Sequence, residues 1–89
     1  MISQPIEVVN RLGLHARAAA KFVDCATAFS SRIQVEKNGE CVDGKSIMSV
    51  MMLAAGQGTI LTLHIEGADE TLALEALTTL IADRFGEPD

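Results

Sequence analysis

The chain has no tryptophan and no tyrosine, and its three phenylalanines are the only aromatics among 89 residues. The core must therefore be filled by these phenylalanines and the many Leu, Ile, Val and Ala. Cysteine is equally sparse. Cys25 and Cys41 stand alone, far apart and without metal-ligand spacing. Both cysteines are expected to be small packing residues of a reducing compartment. No run approaches the ~20 apolar residues of a membrane span, and the first residues lack the basic-then-apolar order of a signal peptide. A soluble, cytoplasmic protein with no membrane association is the expectation. Positive charge is scarce as well. Seven Lys and Arg oppose twelve Asp and Glu, a net charge of −5, which argues against a nucleic-acid partner. Six of the seven basic residues lie in 1–45, which points to a basic zone around Arg11, Arg17, Lys21 and Lys45.

What is present is enough for one core. Residues 1–89 read as a single domain without repeats. Residues 2–9 alternate as a strand, and Pro5 marks it as an edge strand. Residues 10–15 form a loop centred on Gly13. From Ala16 to about Phe29, Ala19, Phe22, Val23, Ala26 and Phe29 recur at helical spacing. Ile33 and Val35 alternate with polar neighbours, and Asn38-Gly39 turns the chain back through Cys41-Val42 as a hairpin. Ser46 caps a short helix over Ile47–Ala55. Residues 59–66 form the clearest strand. Asp69 caps a last helix with Ala73, Ala76, Leu77, Leu80 and Ile81 on its buried stripe, stopped by Gly86 and Pro88. The order β-α-β-β-α-β-α predicts an α+β fold, a sheet covered by helices on one face.

The chemistry concentrates at Gly13-Leu14-His15-Ala16-Arg17. One of only two histidines stands at the mouth of a helix, where unpaired N–H groups and partial positive charge favour an anion, phosphate above all. A lone histidine is more often structural. Here it precedes the helix rather than joining its apolar stripe, Gly13 permits a tight approach, and Arg17 follows within a turn. A neutral imidazole, the main form at pH 7 for an ordinary histidine with pKa near ~6.5, is a good nucleophile. Phosphoryl oxygens on it could meet the N–H groups of Ala16 and Arg17 and the Arg17 guanidinium. Arg17 has an equal alternative as a solvated helix charge.

Gly13-Leu14-His15-Ala16-Arg17 followed by Lys45-Ser46-Ile47-Met48-Ser49-Val50-Met51 resembles the HPr family. These are the histidine phosphocarriers of the bacterial phosphoenolpyruvate-dependent phosphotransferase system. The likeness extends over the whole chain. It implies an open-faced sandwich, a four-stranded antiparallel sheet with three helices on one face. It implies that His15 accepts a phosphoryl group on Nδ1 from phospho-Enzyme I and passes it to the A component of an Enzyme II, in sugar uptake or its regulation. Arg17 then lies beside the phosphate. The chain would be a phosphoryl-transfer intermediate rather than a stand-alone enzyme, monomeric and without a cofactor or metal. Ala18 replaces the family's usual proline, which affects the helix entrance more than the chemistry.

Ser46 reads first as a helix cap. The resemblance adds a regulatory phosphorylation there by an HPr serine kinase/phosphorylase. The short helix carries more large apolar residues than one buried face needs, and methionine suits surfaces that accept several partners. Leu14, Ile47, Met48 and Met51, with Met52 beside them, are assigned to a partner-docking patch. His64 reads as a surface strand residue with no metal partners. Asn10 and Arg11 either orient the ring or phosphate or serve the turn. Two other readings compete with the phosphocarrier. One is a regulatory interaction module, of the nitrogen branch or controlled at Ser46, without sugar transport. The other is an anion-binding domain without covalent chemistry.

Overall fold

The computed structural model describes residues 1–89. Four strands form one antiparallel sheet in the order β1-β4-β2-β3: β1 (Ile2–Glu7), β2 (Arg32–Lys37), β3 (Glu40–Asp43) and β4 (Ile60–Glu66). Helices α1 (Ala16–Thr27), α2 (Ile47–Met52) and α3 (Glu70–Ala82) complete the α+β fold, and a short 3-10 turn (Arg84–Gly86) ends it. Strand alternation decides which face the helices cover. Leu61, Leu63 and Ile65 of β4 and Ile33 and Val35 of β2 are buried, while Thr62, His64 and Gln34 between them stay partly open. Ala18, Ala19, Phe22, Val23 and Ala26 of α1 and Ala73, Leu77 and Ile81 of α3 share the buried cluster with those strand residues. Proline is tolerated in β1 because the strand lies at the sheet edge, with Pro5 opposite Thr62.

Element boundaries move where backbone partners change. The first strand ends at Glu7, yet Val8 stays fully buried, its N–H bonded to Thr59 O at 2.9 Å and its carbonyl to Gly58 N at 2.7 Å. The first helix stops at Thr27, and the second at Met52, short of Ala55. Ala54 turns into the left-handed region (φ 51°).

The two lysines of the expected basic zone are spent on this architecture. The Lys21 ammonium donates to Phe85 O at 2.6 Å and that of Lys45 to Phe29 O at 2.7 Å, and Lys37, outside the zone, donates to Leu53 O at 2.8 Å. Cations suit the carbonyl-rich ends of helices and turns. The basic surface therefore shrinks to arginines. Cys41 is likewise corrected from the packing role expected of it. It lies exposed on β3, whereas Cys25 packs half-buried against the core, where burial pushes its thiol pKa up.

Asp69 is a second correction. It occupies the N-cap position of α3, but its carboxylate makes no cap bond. Instead Oδ2 accepts from the Ser30 N–H at 2.9 Å and from the Ser30 hydroxyl at 3.3 Å, and Oδ1 accepts from the Ser31 N–H at 3.0 Å and from the Ser31 hydroxyl. The Ser31 hydroxyl, followed by the Ser30 N–H, lowers the Asp69 pKa to about 2. A depressed carboxylate stabilises the fold above its unfolded pKa, near ~3.9, and this support is lost as pH falls through about 2. Urea unfolding between pH 4 and pH 2 should show the parent losing stability more steeply than Asp69→Asn. Parallel curves would show that the four bonds contribute nothing.

His64 is half-buried at the centre of the open sheet face, not a free surface residue. Its Nδ1 lies 2.8 Å from Ser3 Oγ and its Nε2 2.7 Å from Glu36 Oε1. A carboxylate can only accept, so Nε2 carries the proton and the Ser3 hydroxyl donates to Nδ1. One ring thus links β1, β4 and β2.

Candidate functional site

The residues before α1 build a rigid turn. Asn10 is fully buried, and its side-chain amide donates to Gly13 O at 2.8 Å, while the Gly13 N–H reaches back to Asn10 O at 3.2 Å. Gly13 has φ 68°, a conformation glycine adopts without penalty. The Leu14 N–H donates to Ala55 O at 2.8 Å, pinning the loop to the segment after α2. His15 follows in an extended conformation (φ −72°, ψ 178°) as the N-cap of α1.

Serine, threonine or aspartate in that place would close over the first helical N–H groups. The histidine ring does not. It makes no cap bond, and the N–H groups of Ala16 and Arg17 have no protein partner. Arg17 stands in the first turn, exposed and in no ion pair, and lines a shallow cleft together with Arg11, Leu12, His15 and the tail residues Glu87, Pro88 and Asp89. His15, Ala16 and Arg17 are thus brought together as the sequence predicts, around donors that nothing in the chain occupies.

Sequence reasoning missed Glu87. Its Oε2 contacts His15 Nε2, and its Oε1 accepts from the Asn10 amide at 3.0 Å. The Asn10 bond, ahead of the contact with His15, lowers the Glu87 pKa, so the group is a carboxylate at neutral pH. It can only accept, and Nε2 must carry the ring proton. In the neutral ring this leaves Nδ1 with a free lone pair, and Nδ1 has no partner in the protein. Asn10 therefore serves both the turn and, through Glu87, the ring. Nothing local in the sequence signals a contact between residues 72 positions apart. Arg11 is engaged with the tail as well, its N–H on Asp89 O at 3.0 Å and its guanidinium 3.8 Å from the Asp89 carboxylate. Both side chains of that ion pair are exposed, so the pair adds little stability.

Of the residues assigned to a docking patch, all but one lie at the surface. Ile47, Met48, Met51 and Met52 are exposed, Met48 at 70% and Met52 at 73%. Leu14 is not part of it. The bond from Leu14 N–H to Ala55 O draws this residue against the core, where it is 6% exposed. Leu12, two residues earlier and 67% exposed, takes its place at the rim of the cleft. Ser46 caps α2 as predicted, its Oγ accepting from the Ser49 N–H at 3.3 Å. Ala18 is fully buried and packs α1 onto the core. No helix is long and apolar enough to cross a membrane.

A family model described as the PTS HPr component phosphorylation site matches residues 2–83. The phosphocarrier protein HPr of Pseudomonas aeruginosa is 60% identical over 83 residues, 92% of each chain. Among solved structures, HPr-C-His from Thermoanaerobacter tengcongensis superimposes with a TM-score of 0.96 at 48% identity, covering 100% of both chains. A structure described as an HPr dimer from the same organism gives 0.79 at 49% identity, covering 98% of this chain and 100% of that one.

Proposed function

The chain belongs to the HPr family of the phosphotransferase system, and from that premise we propose that it carries a phosphoryl group on Nδ1 of His15, from phospho-Enzyme I to the A component of an Enzyme II. The observation that carries this reading is the state of the ring. Nε2 is tied to a carboxylate, Nδ1 is free, and the ring stands at a helix start whose first N–H groups are unused. The Nδ1 lone pair attacks phosphorus, and the bond from phosphorus to the donor breaks with its electron pair left on the donor. Phosphoryl oxygens then face the N–H groups of Ala16 and Arg17, and the unpaired Arg17 guanidinium spreads over the charge of the transition state. The reverse geometry delivers the group to the acceptor. No cofactor is required, because the protein supplies a nucleophile and an anion cradle and the donor supplies the energy.

Carriage of this kind suits a cytoplasmic monomer whose cleft and docking patch stay open to each partner in turn. The apolar surface of Ile47, Met48, Met51 and Met52 fits that use. Met48→Glu should leave thermal stability within about 0.5 kcal/mol of the parent, as expected for an exposed side chain. The same change should slow labelling by Enzyme I at least tenfold, read by quenched-flow transfer. An unchanged rate would remove the patch from the docking surface. Ser46 borders the patch, and phosphate on its hydroxyl would set roughly two negative charges there. Regulation at this serine belongs to the same proposal.

Incubation with Enzyme I and labelled phosphoenolpyruvate tests the reading. Acid-labile, base-stable label on the chain is the expected result. Absence of label with active Enzyme I overturns it. Bound phosphate that never becomes covalent would support a simple anion site instead.

A further inference from the structure

Glu87 lies beyond the span that the family model matches, residues 2–83, and it touches the reacting ring. Its carboxylate is fixed at both oxygens, one by the buried Asn10 amide and one by His15 Nε2. The segment that bears it is fixed at both ends, through Glu87 N–H to Arg84 O at 2.9 Å and Arg11 N–H to Asp89 O at 3.0 Å. Such anchoring exceeds what an incidental tail contact needs, and the side chain of Glu87 is only 13% exposed.

We propose that Glu87 keeps the proton on Nε2 throughout phosphoryl transfer, so that the phosphorylated ring is a cation held against a carboxylate and departs as neutral imidazole. This rests on the phosphocarrier reading above. When Nδ1 forms its bond to phosphorus, the ring still holds the Nε2 proton and gains one positive charge. In onward transfer the acceptor's electron pair forms the new bond to phosphorus. The pair of the Nδ1–phosphorus bond returns to Nδ1, and the starting tautomer is restored. No proton enters or leaves at either step. A ring that lost the Nε2 proton would have to leave as imidazolate, a far poorer leaving group. Glu87 therefore sets the pH range over which the carried group stays transferable, and Asn10 is the positioning residue behind it.

The charges around Glu87 do not duplicate this role. Arg17 from α1 and Arg11 from the loop line the cleft and oppose a cationic ring, and Arg11 is paired with Asp89 of the tail. Lys21 of α1 is bound to Phe85 O, and Arg84 in the turn before Glu87 is a further cation. Glu87 is the carboxylate in contact with the ring.

The test phosphorylates the parent and Glu87→Gln with phosphoramidate and follows the protonation of Nε2 in the phosphorylated ring by NMR of the ring nitrogens across pH. Glutamine keeps the shape and one acceptor for Asn10, but it turns an N–H toward Nε2 instead of a negative oxygen. The midpoint should fall by about 1–3 pH units, the effect of losing an opposite charge in contact. A chain ending at Gly86 should show the same direction of change. Unchanged midpoints in both variants overturn the proposal, because a purely structural role would not move them. Labelling of the parent by Enzyme I is run alongside. If it fails, the phosphocarrier reading fails, and if it succeeds with unmoved midpoints, the role of Glu87 alone is wrong.

Discussion

His15→Ala should fold as the parent does and accept no phosphoryl group from Enzyme I. The two halves of this expectation have separate causes. His15 makes no cap bond to α1, so its removal leaves the helix start as it was. The His15 side chain is about a third exposed, and the Glu87 carboxylate keeps its bond from Asn10. The stability cost should stay below about 1 kcal/mol. The chemical loss should be complete, because the Ala16 and Arg17 donors and the Arg17 guanidinium can only stabilise charge on a phosphoryl group that a nucleophile has accepted. The other histidine offers no substitute. Nδ1 of His64 is engaged by Ser3 and Nε2 by Glu36. Acid-labile label that persists in His15→Ala and disappears in His64→Ala would move the site to the open sheet face and overturn the assignment.

Gly13→Ala is the substitution expected to damage structure and site together. A left-handed conformation at φ 68° costs an L-residue roughly 1–2 kcal/mol. A Cβ built there would stand 2.4 Å from Ala55 O and 2.8 Å from Gly56 Cα, both backbone atoms. The Ala55 carbonyl is the acceptor of the Leu14 N–H. Relieving the clash means breaking that bond, at a further cost of about 1–3 kcal/mol for the unpaired groups. The sum is about 2–5 kcal/mol, which lowers the melting temperature of a domain this size by roughly 10 °C or more. Because the same turn sets the entry angle of His15, labelling of the folded fraction should fall as well. A variant that melts within 2 °C of the parent, on the order of the shift that a few tenths of a kcal/mol would give, would show that the loop is not held as tightly as these distances require.

Much of this was legible in the residues. The strands at 33–35 and 59–66 announce themselves because one face is buried and the other is wet, and α1 because its apolar stripe recurs at helical spacing. His15 and Arg17 were legible because a helix start creates unsatisfied donors whatever the remainder of the chain does. Leu14 was misread for a related reason. Its neighbours Gly13 and His15 both belong to the candidate site, and only the bond from its N–H to Ala55 O and its burial show that its side chain turns inward. Asp69 was placed correctly at the start of α3 but credited with the wrong bonds, because Ser30 and Ser31 compete for its oxygens from 39 and 38 residues away.

The sequence by itself determined the element order, the open-faced α+β architecture and a histidine placed at the mouth of a helix. These follow from local periodicity, turn chemistry and the unpaired groups of helix ends, all of which act within a few residues. Tertiary structure alone decided the state of that ring. The carboxylate that assigns the ring proton lies 72 residues away, and the amide that holds the carboxylate belongs to the opening loop. Lys21 and Lys45, which looked like part of a basic surface, became caps on distant carbonyls for the same reason. A charged or polar group bonds to whatever the packed chain brings within about 3 Å, and that neighbour is set by how the helices close over the sheet.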